Sequence, residues 1–155
     1  MAFTLTSPAF AAGDKIPRRH IRDGCNLSPP LAWTDPPAGT RGFMLVMEDP
    51  DAPSGTFVHW VLHGIDGSRR DLPEGVGPDQ RDLAAGQGVN GFGNLHYDGP
   101  QPPRGHGPHH YHIRLLALDV DRLDIAEQAT LDEIRVAARP HALGTAELIG
   151  VYELC

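Results

Sequence analysis

Three short segments concentrate the side chains that can do chemistry. The first is Asp49-Pro50-Asp51-Ala52-Pro53, two carboxylates interleaved with two prolines, following the apolar run Phe43 to Met47 that Glu48-Asp49-Pro50 closes. Proline fixes its own φ, so such a turn is stiff. Tight turns also host cis X-Pro bonds, and one of these two is a candidate. The segment reads either as a rigid rim that holds Asp49 in a pocket mouth or as an ordinary polar turn. The second segment is Thr56 to His63, which carries His59 among apolar neighbours. Strand alternation puts Val58, Trp60 and Leu62 on one side and Phe57, His59, Val61 and His63 on the other. The third runs from Tyr97 to His112. Five of the nine histidines, His96, His106, His109, His110 and His112, lie in it or at its border. Alternation here groups His109, Tyr111, Ile113 and Leu115 on one face, and His110, His112, Arg114 and Leu116 on the other. Gly99, Gly105 and Gly107 allow close backbone approach and left-handed turns.

Two chemistries suit this histidine cluster. His110 and His112 stand two apart on a strand and can both reach one ion, but no HExxH motif or cysteine pair accompanies them. No metal or cofactor is therefore expected. The alternative is an oxyanion pocket of imidazoles, a tyrosine hydroxyl and glycine N–H groups. That set matches phosphate, which accepts several hydrogen bonds at once.

The elements that must position these segments are short. The chain has 155 residues, 18 of them glycine and 15 proline, about a fifth of the total without a fixed period. That length suits one domain spanning residues 1–155, large enough to fold without staples. Phe43–Met47, Thr56–Ile65, His109–Leu118 and Ala146–Leu154 read as strands. Residues 69–93, rich in Gly, Pro and Asp, read as one long surface loop. Thr130 followed by Glu133 forms a capping box, and Pro140 is a stop, so one helix is expected from Thr130 to Arg139. The fold class is mostly β, an antiparallel sandwich or barrel with one or two short peripheral helices.

Composition excludes several roles. The net charge is −7 and Lys15 is the single lysine, which argues against nucleic acid and against a polybasic membrane tether. No apolar run approaches the ~18 residues of a membrane span. Residues 1–12 lack a basic n-region, and their apolar stretch is interrupted, so a cytoplasmic chain is expected. Cys25 and Cys155 are too few and too far apart in sequence to declare a disulfide framework, and a bridge between them is left open.

Four pieces, in order and at matching spacing, resemble the phosphatidylethanolamine-binding protein family, also called Raf kinase inhibitor-like, most closely its short bacterial branch. They are Asp-Gly-Cys-Asn-Leu-Ser-Pro-Pro-Leu-Ala-Trp ending at Trp33, Asp49 to Pro53, His59-Trp60, and Tyr97 to Tyr111. The resemblance implies two antiparallel sheets in a Greek-key sandwich, with a small ligand pocket at one end. It assigns Asp49, His59, Gly99, Pro103, His109 and Tyr111 to that pocket, with Asp51 supporting the rim. Phe57 stands where some relatives carry a pocket tryptophan and keeps an aromatic wall. Histidine at position 110 replaces the usual arginine, on the face pointing away from the pocket. Gln101 replaces a cysteine found in many bacterial relatives, which removes one partner for Cys25.

The expected function is non-catalytic binding of a small oxyanion or a phospholipid headgroup such as phosphoethanolamine. The rival is a small hydrolase with His59 or His109 as base beside Asp49, but no nucleophile is evident: Ser54 lacks a G-x-S-x-G context. A regulator with a protein partner, as some family members are with kinases, rests on fold-level resemblance alone. A homodimer is compatible with the chain, which shows no diagnostic interface stripe.

Overall fold

The computed structural model describes residues 2–77, 79–80, 82–126 and 128–154. Its strands are β1 (Thr4–Thr6), β2 (Leu31–Thr34), β3 (Gly42–Asp49), β4 (Phe57–Asp66), β5 (Asp71–Leu72), β6 (Gly86–Gln87), β7 (His109–Leu118) and β8 (Ala142–Tyr152), with one helix, α1 (Leu131–Ala138). They form two sheets, ordered β1-β2-β5 and β6-β4-β3-β7-β8, and every strand pairing within them is antiparallel. The protein is a mostly β fold of two antiparallel sheets with one short helix.

β3 explains its own composition. Leu45, Met47 and Phe43 face the space between the sheets, where they join Trp33, Trp60, Ile113 and Leu115. Met44 and Val46 face the opposite way, under Leu131, Ile134 and Ala138 of α1. A strand covered on both sides reads as a continuous apolar run. It also extends past Met47, to include the buried acids Glu48 and Asp49, which the sequence had suggested close it. The helix carries the expected capping box: Thr130 Oγ1 accepts from the Glu133 N–H at 3.2 Å, and the Glu133 carboxylate accepts from the Thr130 N–H at 3.0 Å.

Several expectations need correction. Residues 69–93 are not one bare loop. They contribute the two-residue strands β5 and β6, one at the edge of each sheet. β8 begins at Ala142, four residues before the expected start, because β7 pairs with it along its whole length. Among the described residues no peptide bond is cis, so both prolines of the 49–53 turn are trans. The alternation along β4 is reset by a bulge. Glu48 pairs with Val58 and Met47 with Trp60, which leaves His59 as the extra residue. A bulge re-aims side chains. It puts Phe57 and His59 on the same side as Trp60 and Leu62, and sends Val61 with Val58 toward the helix. Cys25 is an exposed free thiol, whereas Cys155 lies outside the described residues.

Candidate functional site

At one end of the sandwich is a cavity of about 310 Å³, walled by Asp49, Phe57, His59, Phe92, Gln101, Pro103, His109 and Tyr111 among others. Three strands meet there. β3 delivers Asp49 as its last residue, β4 delivers Phe57 and His59 across the bulge, and β7 delivers His109 and Tyr111 on its inward face. Asp49, His59, His109 and Tyr111 are each no more than 3 % exposed.

Asp49 is fully engaged by its neighbours. Its Oδ1 accepts the Asp51 N–H at 2.8 Å, which fixes the turn, and its Oδ2 accepts from His109 Nδ1 at 2.6 Å. An ionised carboxylate only accepts, so His109 carries its proton on Nδ1. The other nitrogen of His109 lies 2.6 Å from Nδ1 of His106. The result is a chain from a buried carboxylate through a buried imidazole to an exposed one. Asp51 is a brace: its Oδ2 accepts from the His110 backbone N–H at 2.7 Å and from its ring at 2.8 Å. The ring and backbone bonds from His110 hold its carboxyl below the ordinary range.

His59 is set differently. Its Nδ1 donates to the Asp98 carbonyl at 2.7 Å, so in the neutral ring Nε2 is the unprotonated nitrogen. Burial pushes this imidazole toward the neutral form, against the pull of the Asp98 carbonyl and of Asp49. Its ring meets those of Phe57, Tyr111 and Phe92, with centroids 5.1, 5.3 and 6.0 Å away. Burial also drives the Tyr111 hydroxyl well above its ordinary range, so it remains a donor. That hydroxyl is buried and has no hydrogen-bond partner among the described residues.

Of the residues expected at the site, Asp49, Phe57, His59, Pro103, His109 and Tyr111 line one cavity. Asp51 and Gly99 do not. Gly99 is packed so that a Cβ would sit 1.9 Å from the His20 carbonyl oxygen, and its N–H donates to Asn26 Oδ1 at 2.7 Å. Close approach to His20 requires glycine here, and its N–H is spent on Asn26.

Sequence reasoning missed the support behind His59. The buried Asp98 carboxylate accepts from Asn26 at 3.1 Å and from Asn90 and Asn94 at 2.9 Å each. Burial alone raises this carboxyl, and the three amides outweigh it and hold it low. The signal was available, since Asn26 and Asp98 each sit in one of the family-like segments, but nothing in one sequence says that the two touch. Phe92 and Gln101 were missed as wall residues. Arg22 ties them together, its guanidinium 3.9 Å over the Phe92 ring and 2.9 Å from Gln101 Oε1. Among the described residues no group of three or more His, Cys, Asp or Glu is arranged to hold a metal, and no helix is long and apolar enough to cross a membrane.

Comparison with known proteins identifies the family of this fold. Residues 6–153 match the family model described as phosphatidylethanolamine-binding protein. The crystal structure of Escherichia coli YbcL, described as a new member of the mammalian PEBP family, superposes with a TM-score of 0.92 at 30% identity, covering 100% of both chains. The E. coli protein YbhB is 38% identical over 156 residues, covering 96% of this chain and 98% of that one. A UPF0098 protein of Aquifex aeolicus is 40% identical over 147 residues, covering 95% and 86%. The chain belongs to the phosphatidylethanolamine-binding protein family, in the bacterial branch of YbhB and YbcL.

Proposed function

We propose that the chain is a non-catalytic binding protein whose cavity holds a phosphate-type oxyanion, either free or as the headgroup of a phospholipid. The observation that carries this reading is the Tyr111 hydroxyl at the inner wall, buried and without a hydrogen-bond partner among the described residues, beside a His59 ring whose Nδ1 is committed to the Asp98 carbonyl. Buried polar groups are nearly always paired, so a lone hydroxyl beside a cavity supports a ligand atom that accepts from it. A protonated inorganic phosphate or phosphomonoester complements both groups, its P–O⁻ accepting from Tyr111 and its P–OH donating to the neutral His59 nitrogen, whereas a phosphodiester headgroup has no P–OH and uses the Tyr111 hydroxyl alone. The volume, about 310 Å³, takes a phosphate with a short substituent.

The same geometry disfavours the hydrolase reading. An Asp–His dyad activates a hydroxyl through the second imidazole nitrogen, and in His109 that nitrogen is taken by His106. Ser54 and Thr56 line the cavity, but neither hydroxyl bonds an imidazole among the described residues. Phosphomonoesterase and esterase assays should return background rates.

Titration calorimetry with inorganic phosphate, phosphoethanolamine and vesicles containing phosphatidylethanolamine separates the sources of the anion. Free-phosphate binding is expected to weaken about tenfold in Tyr111→Phe, the loss of one hydrogen bond to a charged group. Equal affinity for the variant and the native chain would overturn the reading.

A further inference from the structure

Burial keeps His59 neutral, so an anion entering the cavity meets a wall whose charge is decided elsewhere. Asp49 contributes one negative charge, and among the described residues its ion-pair partner is His109, joined in turn to His106, with 2.6 Å at each step. With both rings neutral, His106 donates through Nδ1 to His109 Nε2, and the wall carries a net negative charge. One added proton is shared between the two ring nitrogens without breaking their bond, and the wall becomes neutral. A second proton places N–H against N–H and breaks it.

We propose that His106 is a positioning residue for the anion site: it acts through His109 as the solvent-side terminal of an Asp49–His109–His106 proton relay that switches the wall from repelling an anion to accepting one. This rests on the proposed oxyanion reading and names how that site is regulated. Position supports the assignment. His109 is 1 % exposed, whereas His106 lies on the exposed turn 104–107, whose Gly105 and Gly107 are left-handed. That turn is pinned to the domain by the Gly105 N–H on the Leu154 carbonyl at 2.8 Å, so the relay's outer ring has a defined place.

The other ionisable groups around His109 cannot take over the switch. Asp51 is held ionised by His110, and Tyr111 is held neutral by burial. Tyr152, which pairs with His109 across β8, offers a phenol rather than an imidazole. Arg104, on the turn itself, keeps its charge throughout. His59, on β4, is disfavoured as a cation by burial.

The test is the pH dependence of inorganic-phosphate binding in the native chain, His106→Ala and His106→Gln, with ring ¹⁵N shifts recorded without phosphate. Alanine leaves a buried imidazolium without an acceptor, so the midpoint of the pH dependence should move down by about one unit, with about tenfold weaker binding at pH 7 and recovery at pH 5.5. Glutamine offers an acceptor oxygen but carries no proton, and should restore about half of the shift. The two rings of the native chain should titrate as a coupled pair. A uniform loss of affinity at every pH would reduce His106 to a structural role and overturn the proposal. Independent titration of the two rings would overturn it whether or not phosphate binds. Coupled rings in a chain that fails to bind phosphate would instead sink the oxyanion reading.

Discussion

Glu48 and Asp49 are consecutive buried acids at the end of one strand, and they face opposite sides of the same sheet. Glu48 looks toward the helix, where Arg114 approaches its Oε1 at 3.2 Å and Arg135 bonds the same oxygen. Asp49 looks into the cavity, where its charged-group partner is an imidazole. Guanidinium never loses its proton in a protein, whereas imidazole exchanges one near neutrality. The helix side is therefore a fixed electrostatic rivet, and the cavity side is a titratable one. The contrast separates an acid held by permanent charges from an acid held by a group that can change its charge.

The largest expected effect tests the rivet. Glu48→Ala leaves two guanidiniums facing each other without their shared carboxylate. Breaking a buried pair costs about 3–5 kcal/mol. The arginine side chains are 36% and 40% exposed and regain water, so a loss of about 2–3 kcal/mol is expected in urea unfolding at pH 7. The pH dependence of phosphate binding should be unchanged in the folded variant. If it disappears, the two sides are coupled and the contrast fails.

Asp49→Asn probes the other side. The amide keeps an acceptor for the Asp51 N–H but removes the wall's negative charge. Stability should change by only about 1 kcal/mol. The gain in phosphate affinity from pH 8 to pH 6, expected to be about tenfold in the native chain, should shrink below about threefold. A variant with the native profile would show that Asp49 has no part in the response.

The smallest effect concerns His59 and stability. Its folded-state proton affinity is lowered from the ordinary value of 6.5 by burial, so above that pH the neutral ring matches the folded site. As pH falls below 6.5 the unfolded chain gains the proton first, and this contribution to stability is lost. His59→Gln should therefore lose stability less steeply between pH 6.5 and 5, by up to about 1 kcal/mol, in urea titrations at stepped pH. A steeper fall than the native chain's would contradict a buried neutral His59.

Much of this was legible in the sequence, and the failures have physical causes. The capping box from Thr130 to Glu133 is local chemistry, so the helix could be placed within a residue or two. The face assignment of β7 held because that strand has no irregularity between His109 and Ala117. The assignment of β4 did not hold, because one unpaired residue at His59 reverses the phase and no residue type announces a bulge. Glu48 looked like part of a turn because its arginines arrive from 66 and 87 residues away. Gly99 was assigned to the pocket by resemblance, while its closeness to the His20 carbonyl is a long-range fact. Local signals gave elements and faces; contacts between distant loops, such as Asn26 with Asp98, became visible only in three dimensions.

The central claim is that a phosphate-type anion and a proton enter this cavity together. Calorimetric titration of inorganic phosphate at pH 8 and pH 6, in buffers of different ionisation enthalpy, measures both at once. Sulfate, which has no proton to donate in this range, separates protein protonation from ligand protonation. The expected result is tighter phosphate binding at pH 6, with uptake of about one proton near pH 7. Undetectable binding at both pH values, or equal affinity without proton exchange, would contradict it.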